Sequence, residues 1–255
     1  MNYVKLILLI TIVCTIVYYI QSFPRQIPIR SIWVINMEKD AERMQNIQSK
    51  TKSFQHLVKR WPATVGKDVN IHEAHNQGVS KIIGFKTGDI NDQTPKPKDK
   101  IDNNQGIVGV WLSHKRVLTH LSKQNLPDSY AHMITEDDID FPVDFMDQWA
   151  QIAPEIPSNW DIIYVGMKHP LLEKQVGPRI YRGIPSYNDK GNWGTHAYIV
   201  RHGALPRILS KLKYMSHEID VQLNLYFGDF NVYIIQPSII SLNPVLSKIS
   251  TIEHY

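Results

Sequence analysis

Short continuous apolar runs alternate along the chain with stretches in which apolar residues recur every three or four positions, and this alternation predicts an α/β domain. SIWVIN (31–36) is a run of the kind buried on both faces of a sheet, and the charged MEKDAERMQNIQ behind it is helix-prone. A second strand is expected around His56 to Arg60, before the turn-like Ala63 to Gly66. From Ile107, the spacing of Ile107, Trp111, His114, Leu118 and Leu121 draws one buried helical face, which turns His114 inward. SYAHMIT (129–135) reads as a buried strand running directly into EDDIDF. WDIIYVG (160–166), WGTHAYIV (193–200) and DFNVYIIQP (229–237) are further strands. Between the last two lie two helical segments. One carries Ala204, Leu205, Ile208, Leu209 and Leu212 on a single face; the other has Ile219, Leu223 and Tyr226 spaced alike.

Two segments fall outside this pattern. Residues 84–105, GFKTGDINDQTPKPKDKIDNNQ, are almost free of large apolar side chains and read as a mobile surface loop, either disordered or an active-site flap. At the other extreme, VKLILLITIVCTIVYYI (4–20) predicts a membrane helix of about 25 Å. Tyr18, Tyr19, Ile20 and Gln21 offer no small-residue cleavage pattern, so residues 1–21 read as an uncleaved signal anchor. SFPRQIPIR then forms a stem over 22–30, and a single domain is expected over 31–255. Lys5 on one side and Arg25 and Arg30 on the other nearly cancel in the charge rule for orientation. The expectation is a single-pass type II protein with its domain in the lumen of the ER or Golgi, a cytosolic-facing domain staying open.

Charge and cysteine content narrow the chemistry. The net charge of +4 is spread without a basic block or an aromatic-interleaved motif, which argues against nucleic acid and fits a phosphate-bearing substrate or an anionic membrane surface equally. Cys14, the single cysteine, lies in the apolar N-terminal run, so the domain has neither a disulfide nor a thiolate-bound metal. Oxygen and imidazole ligands suit Mn²⁺ or Mg²⁺.

Glu136, Asp137 and Asp138, with Asp140 close by, follow an apolar strand. Adjacent carboxylates repel, and a divalent cation between them relieves the cost. In open α/β sheets ligands bind beyond the carboxyl ends of strands, where this cluster would project. The local residues alone fit a metal site and a solvated acidic turn equally well.

Several segments taken together change that balance: WVINMEKDAERM, WPATVGKD, GIVGVWLSHKRVL, MITEDDIDF, WDIIYVG, GTHAYIVRHGA and EIDVQL. In content and order they resemble glycosyltransferase family 25, which includes bacterial lipooligosaccharide galactosyltransferases and animal procollagen galactosyltransferases. The resemblance covers most of residues 31–240. It implies a GT-A-like nucleotide-diphospho-sugar transferase fold with a central mixed sheet, a UDP-hexose donor, a divalent metal (usually manganese) and inversion at the anomeric carbon. It assigns Asp138, Asp137 and Glu136 to the metal and donor diphosphate, with Asp138 the preferred direct ligand. Asn36 and Arg43 fall to the donor's nucleotide side, and Arg43 is equally placed to pair with Glu38 or Asp40 at helical spacing.

An inverting transfer needs a base for the acceptor hydroxyl. The family places an aspartate at Asp220, with Glu218 second; a helix-start acid beside the macrodipole is the structural alternative for Asp220. His114 matches a Ser-His pair of the family, but its buried position favours a core histidine. His196 is a candidate cofactor-site contact, and Trp193 a candidate sugar-stacking residue. The acceptor expected is a glycan, a glycolipid or a collagen-like hydroxylysine. The rival reading is a catalytically inactive relative serving as a membrane-anchored adhesion or scaffold protein.

Overall fold

A computed structural model describes residues 26–69, 71–79, 98–186 and 191–248, together with residues 3 and 10–12. The expected anchor at 4–20 lies almost wholly outside the described residues; among these, no helix is long and apolar enough to cross a membrane.

Eight strands form one mixed sheet in the order β2-β1-β3-β8-β5-β9-β7-β6. In chain order these are β1 (Ile29–Asn36), β2 (Val58–Pro62), β3 (Ala131–Glu136), β5 (Ile162–Lys168), β6 (Leu172–Gly177), β7 (Ile180–Gly183), β8 (Trp193–Arg201) and β9 (Val232–Ile235). Two short strands, β4 (Ile139–Asp140) and β10 (Ser241–Leu242), pair antiparallel beside the sheet. β1 lies parallel to both β2 and β3, β5 lies parallel to β9, and β8 runs antiparallel between β3 and β5.

Successive residues of β1 go to opposite faces. Ile32 and Val34 pack with Met44 and Ile47 of α1 (Ala41–Lys50) and with Phe145 and Trp149 of α4 (Phe145–Ile152). Trp33 and Ile35 pack on the other face, the one covered by three helices: α3 (Lys98–Ser122) through Trp111 and Leu118, α5 (Leu205–Lys211) through Leu205, and α6 (Ile219–Leu225) through Leu223. One further short helix, α2 (Ile71–Asn76), precedes α3.

The connection from β1 to β2 therefore uses the α1 face, and the one from β2 to β3 uses the α3 face. That makes the gap between β1 and β3 a topological switch point, with a crevice outside their carboxyl ends. Asn36 ends β1 and Glu136 ends β3, so both expected site segments reach this crevice.

Two expectations need correcting, and one element was not foreseen. β2 starts two residues later than read, because only Val58 and Trp61 of VKRWP turn partly inward and the strand is an edge. The hairpin β6–β7 is not apparent in the apolar pattern, since four of the six residues of LEKQVG are exposed. Residues 98–105, expected in the loop, are the first turns of α3; a polar run excludes a core element but not a helix, because Lys and Gln favour helix. Residues 84–97 of that loop lie outside the described residues.

Candidate active site

Asp137 is the anchored member of the acidic turn. Its Oδ2 accepts a hydrogen bond from Asn36 Nδ2 at 2.8 Å, and its Oδ1 accepts one from Arg43 Nη1, also at 2.8 Å. The Arg43 and Asp137 side chains are only 12% and 9% exposed, so the pair is shielded from solvent. Arg60, which sequence reasoning overlooked, completes the clamp: its Nε donates to Asn36 Oδ1 at 2.7 Å, which orients the amide towards Asp137. Burial pushes the Asp137 pKa up, while Arg43 and Asn36 pull it down. With each oxygen accepting one hydrogen bond, Asp137 fixes the turn.

Glu136 points to the other side, towards α3 and β8. Thr195 Oγ1 donates to its Oε1 at 3.2 Å, and His114 Nε2 stands 3.7 Å from the same oxygen. Burial raises the Glu136 pKa, but His114, His196 and Thr195 outweigh it, and the net shift is downward. His114 is fully buried, as its helical spacing implied, and its Nδ1 lies 3.0 Å from Tyr198 Oη. His196 is 4% exposed; burial lowers its pKa, with the Glu136 charge opposing the shift. The ring fits because β5 carries Gly166 beside it: a Cβ at 166 would approach His196 Nε2 to 2.8 Å.

Asp138 differs from both neighbours. Its Oδ1 is buried yet has no hydrogen-bond partner among the described residues. Its pKa is raised to about 6, first by burial and then by the charge of Glu136. A buried carboxylate oxygen with neither donor nor cation is costly, and a divalent ion would remove that cost. The donor set fits Mn²⁺ or Mg²⁺ on this ground. Among the described residues, no group of three or more His, Cys, Asp or Glu side chains is placed to hold a metal ion. An open site of one or two carboxylates, completed by water and phosphate oxygens, is how such hard cations are usually held.

Asp220, in the first turn of α6, reaches the same region. Its Oδ2 accepts the Gly194 N–H at 2.8 Å and its Oδ1 accepts the Val221 N–H at 2.9 Å. Burial pushes its pKa up; the two N–H groups oppose this, and the Glu136 charge adds to it. Gly194 has a φ of 81°, a conformation that strains any other residue, and it brings the N–H onto Asp220. Glu218 immediately precedes α6, and its carbonyl accepts the Gln222 N–H. The structure thus brings Glu136, Asp137, Asp138, Asn36, Arg43, His196 and Asp220 to one end of the sheet.

A strap closes over the acidic turn. The Asn243 N–H donates to the Asp138 carbonyl at 2.8 Å, and Arg43 Nη2 donates to the Leu246 carbonyl at 3.0 Å.

Among curated proteins, a "Glycosyltransferase 25 family member" of Drosophila pseudoobscura pseudoobscura is 25% identical over 183 residues, 71% of this chain and 27% of its own length. "Procollagen galactosyltransferase 1" of Danio rerio is 23% identical over 190 residues, again 71% of this chain and 29% of its own. A "Glycosyltransferase 25 family member" of Anopheles gambiae is 23% identical over 159 residues, 59% of this chain and 24% of its own. The chain is similar to glycosyltransferase family 25 proteins. It spans between about a quarter and a third of the length of these relatives. No protein-family model matches the chain.

The segments that carry the family 25 resemblance also touch one another. In the WPATVGKD turn, the Thr64 N–H donates to Ser113 Oγ of the Ser-His pair at 2.8 Å. Gly109, one turn earlier on α3, lies so close that a Cβ there would come within 2.6 Å of the Thr64 carbonyl. Sequence reasoning did not link Thr195 to Glu136; its place beside His196 on a strand entering the site was the available signal for that contact.

Proposed function

We propose that the chain is an inverting glycosyltransferase of GT-A-like fold. It moves a hexose, galactose or alternatively glucose, from a UDP-sugar to an acceptor hydroxyl, with Mn²⁺ or Mg²⁺ held at Asp138. The observation that carries this reading is the buried, unpartnered Asp138 oxygen at the switch-point crevice. When bound, the cation supplies positive charge beside the diphosphate, where negative charge grows as UDP departs. Asp137, clamped by Asn36 and Arg43, fixes the direction in which Asp138 presents its carboxylate. Glu136, held by Thr195 beside His114 and His196, keeps a second negative charge at the rim.

Asp220 is the proposed general base, with Glu218 the second choice. Two backbone N–H bonds orient the Asp220 carboxylate, and burial raises its basicity. It takes the proton of the acceptor hydroxyl as that oxygen attacks the anomeric carbon, and the glycosidic bond to UDP breaks. Membrane attachment through residues 4–20, with the domain in the lumen, belongs to the same proposal, as does an acceptor on a glycan, glycolipid or protein.

The test is UDP release by the purified 255-residue chain from a panel of UDP-hexoses with Mn²⁺, with and without chelator. Chelation is expected to stop release, and Asp138→Asn to lower kcat by about a hundredfold or more. Release indifferent to both would sink the metal assignment. No release from any UDP-hexose is the outcome expected of the non-catalytic scaffold.

A further inference from the structure

We infer that His114 is a positioning residue for Glu136: Tyr198 sets the imidazole so that its Nε2–H faces the carboxylate and holds it against the wall of the site. The part this plays in transfer rests on the activity proposed above.

Alternation along the strands brings these groups together. Glu136 follows Ile134 by two residues on β3 and so continues the face that packs against α3. His114 comes from α3, between Trp111 and Leu118 of the same buried stripe, and is itself fully buried. Tyr198 comes from β8 and is buried with its ring against Tyr164, centroids 5.8 Å apart. The His114 and Tyr198 rings stack on each other, with centroids 5.7 Å apart and 23° between their planes. Packing of this density holds both rings in one orientation.

A neutral imidazole carries one ring proton, and its neighbours decide on which nitrogen. Tyr198 Oη lies 3.0 Å from His114 Nδ1, its single hydrogen-bond partner among the described residues. Burial holds the Tyr198 pKa well above the phenol range, so the hydroxyl keeps its proton and has one place to donate it. Nδ1 therefore accepts, and the ring proton sits on Nε2. The opposite tautomer would leave the phenol proton without an acceptor and aim the Nε2 lone pair at a carboxylate.

Nε2 stands 3.7 Å from Glu136 Oε1, beyond hydrogen-bond contact by about 0.5 Å. It has no other partner among the described residues. A buried N–H without an acceptor is costly, so closing this gap is favourable and draws Glu136 inward. The Glu136 side chain is 33% exposed, which leaves it the freedom to move over that distance. Thr195 Oγ1 supplies a second neutral donor to the same oxygen. Two donors thus keep Glu136 at the wall, and the carboxylate oxygen left without one is Asp138 Oδ1.

The experiment reads the imidazole ¹⁵N resonances of the 255-residue chain, alongside UDP release from a UDP-hexose with Mn²⁺. His114 is expected as the Nε2–H tautomer, with its Nε2 resonance shifted by Glu136→Gln and the tautomer preference weakened by Tyr198→Phe. In turnover, His114→Asn, which has no donor at the Nε2 position, is expected to lower kcat about tenfold. His114→Gln, whose amide reaches that position, restores most of the rate. In a Glu136→Gln background, His114→Asn costs nothing further. An Nδ1–H tautomer, or an Nε2 resonance indifferent to Glu136→Gln, overturns the proposal. So does a His114→Gln as impaired as His114→Asn, or a His114→Asn loss that adds in full to that of Glu136→Gln. If no UDP-hexose is turned over, the transferase activity fails by itself, and the resonances still decide the contact.

Discussion

At the amino end of β5, Asp161 is wholly buried and every oxygen has a partner: Oδ1 meets Arg201 and Arg207, and Oδ2 accepts the Asn231 N–H. At the carboxyl end of β3, Asp138 keeps a buried oxygen with no partner among the described residues. The histidines repeat the contrast. His132, at the amino end of β3, has Nδ1 against Ser31 Oγ at 2.9 Å and Nε2 against His202 Nδ1 at 3.2 Å. Near the acidic turn, His114 Nε2 and His196 Nδ1 are buried without hydrogen bonds among the described residues. Burial is therefore common to both groups of residues, and what separates them is that the Asp161 carboxylate and the His132 ring are satisfied, whereas Asp138 Oδ1, His114 Nε2 and His196 Nδ1 are not.

The sharpest way to break this contrast is to neutralise one acid at each end. Asp161→Asn leaves two arginines without their anion and is expected to cost about 2 kcal/mol in urea unfolding, the partial exposure of both arginines softening the loss. Asp138→Asn, unfolded without divalent metal, is expected to be as stable as wild type or more so. An equal loss at both sites would remove the distinction.

A smaller effect should appear in the pH dependence. The Asp138 carboxyl has its pKa raised to about 6 in the folded chain, so the native state binds this proton more tightly than the unfolded state. The contribution is full below about pH 4 and is lost as pH rises through about 6. In chelator, wild type should therefore lose stability relative to Asp138→Asn across this window, read as the difference in Tm between the two proteins. Parallel Tm curves would contradict the assignment. The smallest effect is expected at the satisfied end. Ser31→Ala deprives both His132 Nδ1 and Trp33 Nε1 of a partner and should cost about 1 kcal/mol in thermal unfolding, with UDP release unchanged.

What the sequence disclosed follows the same division. β1, β3, β5 and β9 were legible because strands buried on both faces must be continuous apolar runs. The edge hairpin was not, since an exposed edge imposes no such pattern. The acidic turn was visible as three adjacent carboxylates, but their division of labour was not. Asp137 meets Asn36 across 101 residues and Arg43 across 94, contacts that local periodicity cannot encode. Family resemblance had grouped these residues without saying which touches which. Nor does a sequence show a missing hydrogen bond: the isolation of Asp138 Oδ1 exists only once all other partners are in place.

The strap over the acidic turn sets a timetable for assembly. Arg43 bonds the Leu246 carbonyl across 203 residues, and Asn243 bonds the carbonyl of Asp138. Contacts that close so long a span are late events in folding. During synthesis β1 and β3 are complete long before residue 246 emerges, so the nascent chain holds its carboxylates in an unfinished turn. A stretch synthesised well after both strands fastens them. A charged site of this kind is thereby kept from maturing before the hydrophobic layers beneath it have formed.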